Sequence, residues 1–328
     1  MFFPVPNFKG FDFVPHGTRI NFMPYKGACI ALSFVLMAAS LVAIAIDGFN
    51  YGVDFKGGTL IEVQAKSGHA DTQELRDKLA GLGLGNVQIQ SFGEADVLIR
   101  VETQPGGEAE QQVAMHTVVD ALGDGFEQRR VEVVGPAVSS ELRTTGVIAV
   151  VGSLVAIVLY VWFRFDWQFA LGAIVALAHD VILVAGIFAV FQLEFDLSIV
   201  AALLTVLGYS VNDTVVVSDR IRENLRRYKK MDIDELLNIS INETLSRTVL
   251  TGATTIAVLL SLLVFGGDVL FNFSLAMLLG VVIGTYSSVF LAAPLLGYLG
   301  VRRDAFGAVS TARGDASAKR TDVRDAAE

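Results

Sequence analysis

Apolar residues fall in six long runs, at 27–46, 145–163, 169–191, 197–217, 248–265 and 273–299. A helix rises about 1.5 Å per residue, so about 20 residues cross a hydrocarbon core roughly 30 Å thick. Each run is close to that length, and six transmembrane helices are expected. Between the first two runs, at 47–142, the pattern changes. Positions 59–63 read as a strand. Positions 71–82 read as a helix, with Asp71 as N-cap and Glu74 three residues on. Strands are expected at 86–91 and 96–101, a helix at 107–122 and a last strand at 129–134. The order strand, helix, strand, strand, helix, strand is that of the ferredoxin-like split motif, with both helices on one face of an antiparallel sheet. The fold class expected is therefore a membrane protein of six transmembrane α-helices with one α+β ferredoxin-like domain.

Lys and Arg set the orientation. The N-terminal arm, 1–26, carries Lys9, Arg19 and Lys26. The connection at 218–246 carries Arg220, Arg222, Arg226, Arg227, Lys229 and Lys230, with Arg247 just beyond it. The tail at 301–328 opens with Arg302 and Arg303. The opposite loops, around Glu194, Asp196 and Asp268, hold neither Lys nor Arg. Both termini are thus expected in the cytoplasm and the 47–142 domain in the periplasm. The first run is expected to be an uncleaved anchor. The 218–246 connection places Ile221, Leu225 and Tyr228 on one face, and Leu237, Ile241 and Leu245 on another stretch. It reads as an amphipathic, interfacial helix pair beneath the bundle, in contact with lipid. The tail, rich in Ala, Asp, Arg and Ser, is expected to be disordered.

Composition narrows the function. Charged residues make up 18% of the chain, against about a quarter in a soluble protein, so much of the surface meets lipid. A net charge of -9 argues against nucleic acid as a partner. The one cysteine, Cys29, lies in an apolar run and reads as packing. His69 and His116 stand alone on expected surface positions. Gly81, Gly83 and Gly85 follow a helix where a dinucleotide fingerprint would open one. No paired catalytic carboxylates, His/Cys cluster or phosphate loop is visible in the sequence. No enzyme activity, metal or cofactor is expected.

Ionisable groups at membrane depth are costly and tend to face a bundle interior or a water-filled path. Asp180 lies in the third span and Asp213 in the fourth, with Arg247 at the start of the fifth. Counted along their helices, Asp213 and Arg247 differ in depth by about one helical turn, within reach of an arginine side chain. Asp180 lies nearer the middle, and Asp268 at the opposite edge. Acids at several depths are what a proton path requires, and a relay of Asp213, Arg247 and Asp180 is expected. Asn212, His179 and Asp268 are candidate supports. The plainer alternative is that these groups, with Ser210, Thr214 and Thr251, only join helices by hydrogen bonds. His179 reads either as a proton shuttle or as a satisfied interior histidine. Gly280 and Gly284 form a GxxxG pair, extended by Ser288, for close helix contact within the chain or with a partner.

Several stretches resemble one family. Gly52-Val-Asp-Phe-Lys-Gly-Gly-Thr59, Ala176-Leu-Ala-His-Asp180 and Gly208-Tyr-Ser-Val-Asn-Asp213 look like hallmarks of the SecD/SecF protein-export membrane proteins. Val217-Ser-Asp-Arg-Ile-Arg-Glu-Asn224 is similar to the SecF branch, as is the single short outer domain; Val134-Gly-Pro136 and Gly280-Val-Val-Ile-Gly284 add weaker matches. The resemblance covers about 47–300. It implies half of a twelve-span bundle of the resistance-nodulation-division (RND) superfamily, completed by SecD. It also implies association with the SecYEG translocon and YajC, and use of the proton-motive force to draw exported unfolded polypeptides outward. By the same resemblance Asp213 carries the proton and Arg247 is its charge partner. Two rival readings stand beside it: half of a proton-coupled small-molecule exporter of RND type, and a non-transporting assembly scaffold of the translocon.

Overall fold

The computed structural model describes residues 18–301 apart from positions 86 and 93. Lys9, Arg302, Arg303 and the tail at 302–328 lie outside the described residues. In chain order the elements are α1 (Lys26–Asp47), β1 (Asn50–Tyr51), α2 (Val53–Lys56), β2 (Gly58–Ala65), α3 (Thr72–Ala80), β3 (Val87–Phe92), β4 (Asp96–Val101), α4 (Glu108–Leu122) and β5 (Phe126–Val134). There follow α5 (Pro136–Arg164), α6 (Trp167–Val190), β6 (Glu194–Phe195), α7 (Leu197–Arg227), α8 (Ile233–Phe265), α9 (Gly267–Ser287), a π-helical turn (Ser288–Ala292) and α10 (Ala293–Tyr298). The chain divides into two compact units. One combines 47–152 with 188–201, and the other combines, of the described residues, 18–46, 153–187 and 202–301.

The first unit holds an antiparallel sheet ordered β3-β4-β2-β5, the ferredoxin-like order. Alternation along β2 and β4 sends Ile61, Val63, Val97, Ile99 and Val101 to one face. There they pack with Leu75 and Leu79 of α3 and Ala114, Val118 and Leu122 of α4. The Asp71 side chain caps α3, accepting from the N–H groups of Gln73 at 2.8 Å and Glu74 at 3.2 Å. Glu74 pairs forward with Lys78 at 2.7 Å. The pairing of β2 with β5 shifts register between Glu62 and Val63. On the face away from the helices, Leu60 lies between Arg100 on β4 and Glu132 on β5. The two-residue strands β1 and β6 pair in parallel, with Phe49, Tyr51, Phe55 and Phe195 clustered around them.

The second unit is built on long apolar helices, and six helical segments are long and apolar enough to cross a membrane. Half or more of the most apolar stretch is buried for α6, α7 and the segment Leu270–Tyr298, against 11% for α1, 11% for α5 and 17% for α8. Small residues set the closest approaches. A Cβ on Gly280 would collide with Val206, and one on Gly284 would lie 3.1 Å from Ser210 Cβ. The GxxxG pair thus seats α9 on α7 within this chain. A Cβ on Gly186 of α6 would strike Ser40 of α1.

The 218–246 connection departs from expectation. α7 runs unbroken to Arg227 and α8 starts at Ile233, so no separate helix pair lies beneath the bundle. No Gly or Pro interrupts 218–227 or 233–247, and the helices continue past the apolar runs. The extension closes on itself through Ile221, Leu225, Leu236, Leu237 and Ile241. Asn224 donates to Ser240 at 2.9 Å and Glu243 at 2.7 Å, and Arg220 donates to Glu243 at 2.7 Å. Asp234, Asn238 and Asn242, one turn apart on α8, hold the segment ahead of α1. Asn242 exchanges hydrogen bonds with the backbone of Ile20, Asn238 accepts from Phe22 N, and Asp234 pairs with Lys26 at 2.5 Å.

Candidate functional site

Two acids lie inside the helical unit, in different surroundings. Asp180, on α6, is fully buried. Its Oδ2 accepts from Ser210 Oγ of α7 at 2.5 Å and from Ser287 Oγ of α9 at 2.9 Å. Its Oδ1 lies 2.9 Å from His179 Nδ1. Both carboxylate oxygens are satisfied, and the group ties three helices together. His179 is equally buried, its ring lies beside that of Tyr286, and its Nε2 has no hydrogen-bond partner among the described residues. The histidine therefore holds Asp180 through one nitrogen and leaves the other bare.

Asp213 lies one turn beyond Ser210 on α7 and is 8% exposed. Its Oδ1 accepts from Thr248 Oγ1 of α8 at 2.6 Å. Its Oδ2 is buried and meets no hydrogen-bond partner at standard geometry among the described residues. A buried oxygen left open is where a proton can add without displacing another donor. Thr214, the next residue, shares a 2.9 Å hydrogen bond with Ser288. Ser287 and Ser288 are consecutive, yet one reaches Asp180 and the other Thr214. Consecutive residues on a helix point about 100° apart, so the two hydroxyls reach different neighbours at the start of the π-helical turn.

Arg247 lies next to Thr248 on α8, and its side chain is exposed. No ion pair joins it to Asp213 among the described residues. The expected direct contact of Asp213 with Arg247 is thus replaced by the Thr248 hydroxyl. Asn212 is exposed on α7, outside this hydrogen-bonded cluster. Thr251 bonds back to the carbonyls of Arg247 and Thr248. Asp268 is the second residue of α9, and its side chain lies outside the described residues. Sequence reasoning missed Thr248 and Ser287. A signal for Ser287 existed, because Gly280, Gly284 and Ser287 follow the spacing of one helix face.

Residues 114–302 match the model of the C-terminal region of the SecD/SecF protein-export membrane proteins, and 42–68 match that of the SecD/SecF GG motif. The first match alone covers more than half of the chain. This chain belongs to the SecD/SecF family. Within that family it is 46% identical over 299 residues to protein translocase subunit SecF of Cereibacter sphaeroides, covering 88% of this chain and 92% of that one. It is 44% identical over 296 residues to protein translocase subunit SecDF of Brucella abortus, covering 88% of this chain but 38% of that longer one. The crystal structure of SecDF from Thermus thermophilus superposes with a TM-score of 0.78 at 38% identity, covering 87% of this chain and 39% of that one. The chain thus spans nearly the length of a SecF and under half of a SecDF. The six membrane-length helices and the α+β sheet are those of a multi-pass SecD/SecF membrane protein with the RND-like fold.

Proposed function

We propose that this chain is the SecF-type half of a proton-driven export machine of the inner membrane. It pairs with SecD to complete a twelve-span bundle and acts beside the SecYEG translocon and YajC on exported unfolded polypeptides. Both termini face the cytoplasm and the α+β domain faces the periplasm. Asp213 is the proton-carrying acid, and Arg247 responds to its charge state. Asp180 and His179 hold the helices around it and lend a second protonatable site. One observation carries this reading: Asp213 is buried in a membrane-length helix with one oxygen fixed by Thr248 and the other open.

The energetics agree. One charge crossing 100 mV releases about 2.3 kcal/mol, enough to bias two helix arrangements whose free energies differ by a similar amount. Protonation removes the charge that Thr248 and Arg247 meet, and α7 and α8 re-seat. The surface supports a partner as well. Ala201, Thr205, Gly208 and Asn212 form an exposed face of small and polar residues on α7, and Arg247, Thr251 and Thr254 are exposed on α8. Small side chains allow a second helix to approach closely, and polar ones gain from a protein neighbour in place of acyl chains.

The test is Asp213→Asn in inner-membrane vesicles. Gradient-dependent export is expected to fall to the level seen with the gradient collapsed, while export driven by ATP alone persists. Normal gradient dependence in that variant would sink the relay and favour the scaffold reading.

A further inference from the structure

The segment from Gly52 to Gly58, with three glycines in seven residues, has no assigned task in the reading above. Among the described residues it contributes to no group of three or more metal-ligating side chains. Several of its residues instead make contacts that tie the segment to its neighbours. Gly52 N donates to Phe195 O at 2.9 Å, extending the β1–β6 ladder. A Cβ on Gly52 would lie 3.0 Å from Glu194 Oε1 and 3.1 Å from Asp196 Cβ, so a larger residue would press on both. The Asp54 carboxylate accepts from the N–H of Leu197, the first residue of α7, at 2.9 Å. Phe55 is buried against Tyr51 and Phe195, with ring centroids 5.9 and 6.1 Å away. Gly57 and Gly58 have φ of +74° and +117°, and the chain turns there directly into β2.

Two further ties reach the same place. Arg100, from β4, forms an ion pair with Glu194, two residues ahead of Asp196. Asp196 caps α7 from its own side, accepting from Ile199 N at 3.1 Å. The first turn of α7 therefore meets two carboxylates, Asp54 and Asp196. Negative charge is favourable there, because the unpaired N–H groups of a helix start carry partial positive charge. One of those carboxylates is carried by the stretch that leads into the sheet.

We propose that the 52–58 segment is a mechanical joint that fixes the first turn of α7 to the sheet of the α+β domain, with Asp54 and Arg100 as its positioning residues. The inference rests on the proton reading above and adds the route by which it does work. Asp213 lies 16 residues beyond Leu197 on the same unbroken helix, about 24 Å along its axis. A helix is stiff along its axis, so a shift of α7 that starts at Asp213 arrives at Leu197 and is handed to β2 through Asp54.

The test uses the full chain co-reconstituted with SecD in lipid vesicles, carrying Cys29→Ser and an environment-sensitive label at Gln90→Cys on the exposed edge of β3. An imposed proton gradient is expected to change the label signal. Asp54→Ala should cut the amplitude about five-fold or more, whereas Asp54→Asn, whose side-chain oxygen still accepts from Leu197, should keep it. Rescue by Asn separates positioning from charge. If Asp54→Ala keeps the full amplitude while Asp213→Asn abolishes it, the joint is wrong and the proton reading stands. If Asp213→Asn keeps it, the proton reading falls and the joint loses its purpose. Should Asp54→Ala lose amide-exchange protection over 58–65, Arg100→Gln replaces it and carries the same two outcomes, since it cuts the second tie and leaves the sheet hydrogen bonds intact.

Discussion

Thr248 is the residue on which the state of Asp213 depends most directly. Replacing it with Val keeps the shape and removes the donor, so that both oxygens of a buried carboxylate lack a partner. The expected cost to Thr248→Val is about 1–3 kcal/mol, with Thr248→Ser close to wild type, read by thermal unfolding in detergent. Glu194 offers a test by pH. Burial pushes its carboxyl above the ordinary glutamate range; Arg100 pulls the other way, and the Asp196 charge adds to the rise. A raised value in the folded chain means that folding favours the protonated form. That contribution is complete below the unfolded value and fades as pH rises through the folded one. Wild type should therefore gain on Glu194→Gln as the medium is acidified, measured as the difference in exchange protection over 96–101. The acids of the membrane helices were legible in the sequence, because a charge in an apolar run is conspicuous. Their hydroxyl partners were not, because Ser and Thr are common in such runs and only the fold selects Ser210, Thr248 and Ser287 from the rest.

At the scale of elements, the glycines of α9 mark where packing is tightest. Gly280→Val drives two methyl groups into Val206 and is expected to cost about 1–3 kcal/mol, while Gly208→Ala, at an exposed position with open space around it, should cost nothing comparable. Thermal unfolding of the two variants makes the comparison. The hairpin formed by the ends of α7 and α8 depends on Asn224. Asn224→Ala leaves Ser240 and Glu243 without that donor, and amide exchange should rise over 221–241 before it rises elsewhere. Strands and helices of the α+β domain could be read from the sequence because their hydrophobic period changes at each boundary. The lengths of α7 and α8 could not be read from hydropathy, which reports where lipid ends and not where a helix ends. The β1–β6 ladder is too short to leave a pattern. Two residues at each of two positions more than 140 apart in sequence are brought together by tertiary contact alone.

Across the whole molecule, burial is uneven. α6, α7 and the last span form the buried layer, whereas the outward faces of α1, α5 and α8 are apolar, with Leu41, Ile46, Val155, Leu159, Val258 and Val264 among their exposed side chains. Lipid satisfies those faces. It does not satisfy the exposed Asn212 and Arg247, which gain from a protein neighbour instead. The family, the span count and the α+β fold were all legible in the chain. The absence of a direct contact between Asp213 and Arg247 was not, since depth along two helices says nothing about their rotation. The exposed arginine and asparagine also bear on how much of this protein a cell can keep. A copy inserted without its mate leaves those polar groups against the acyl chains, a signal that membrane proteases act on. Surplus chain should then turn over quickly, and its abundance should track that of the mate whatever its own rate of synthesis.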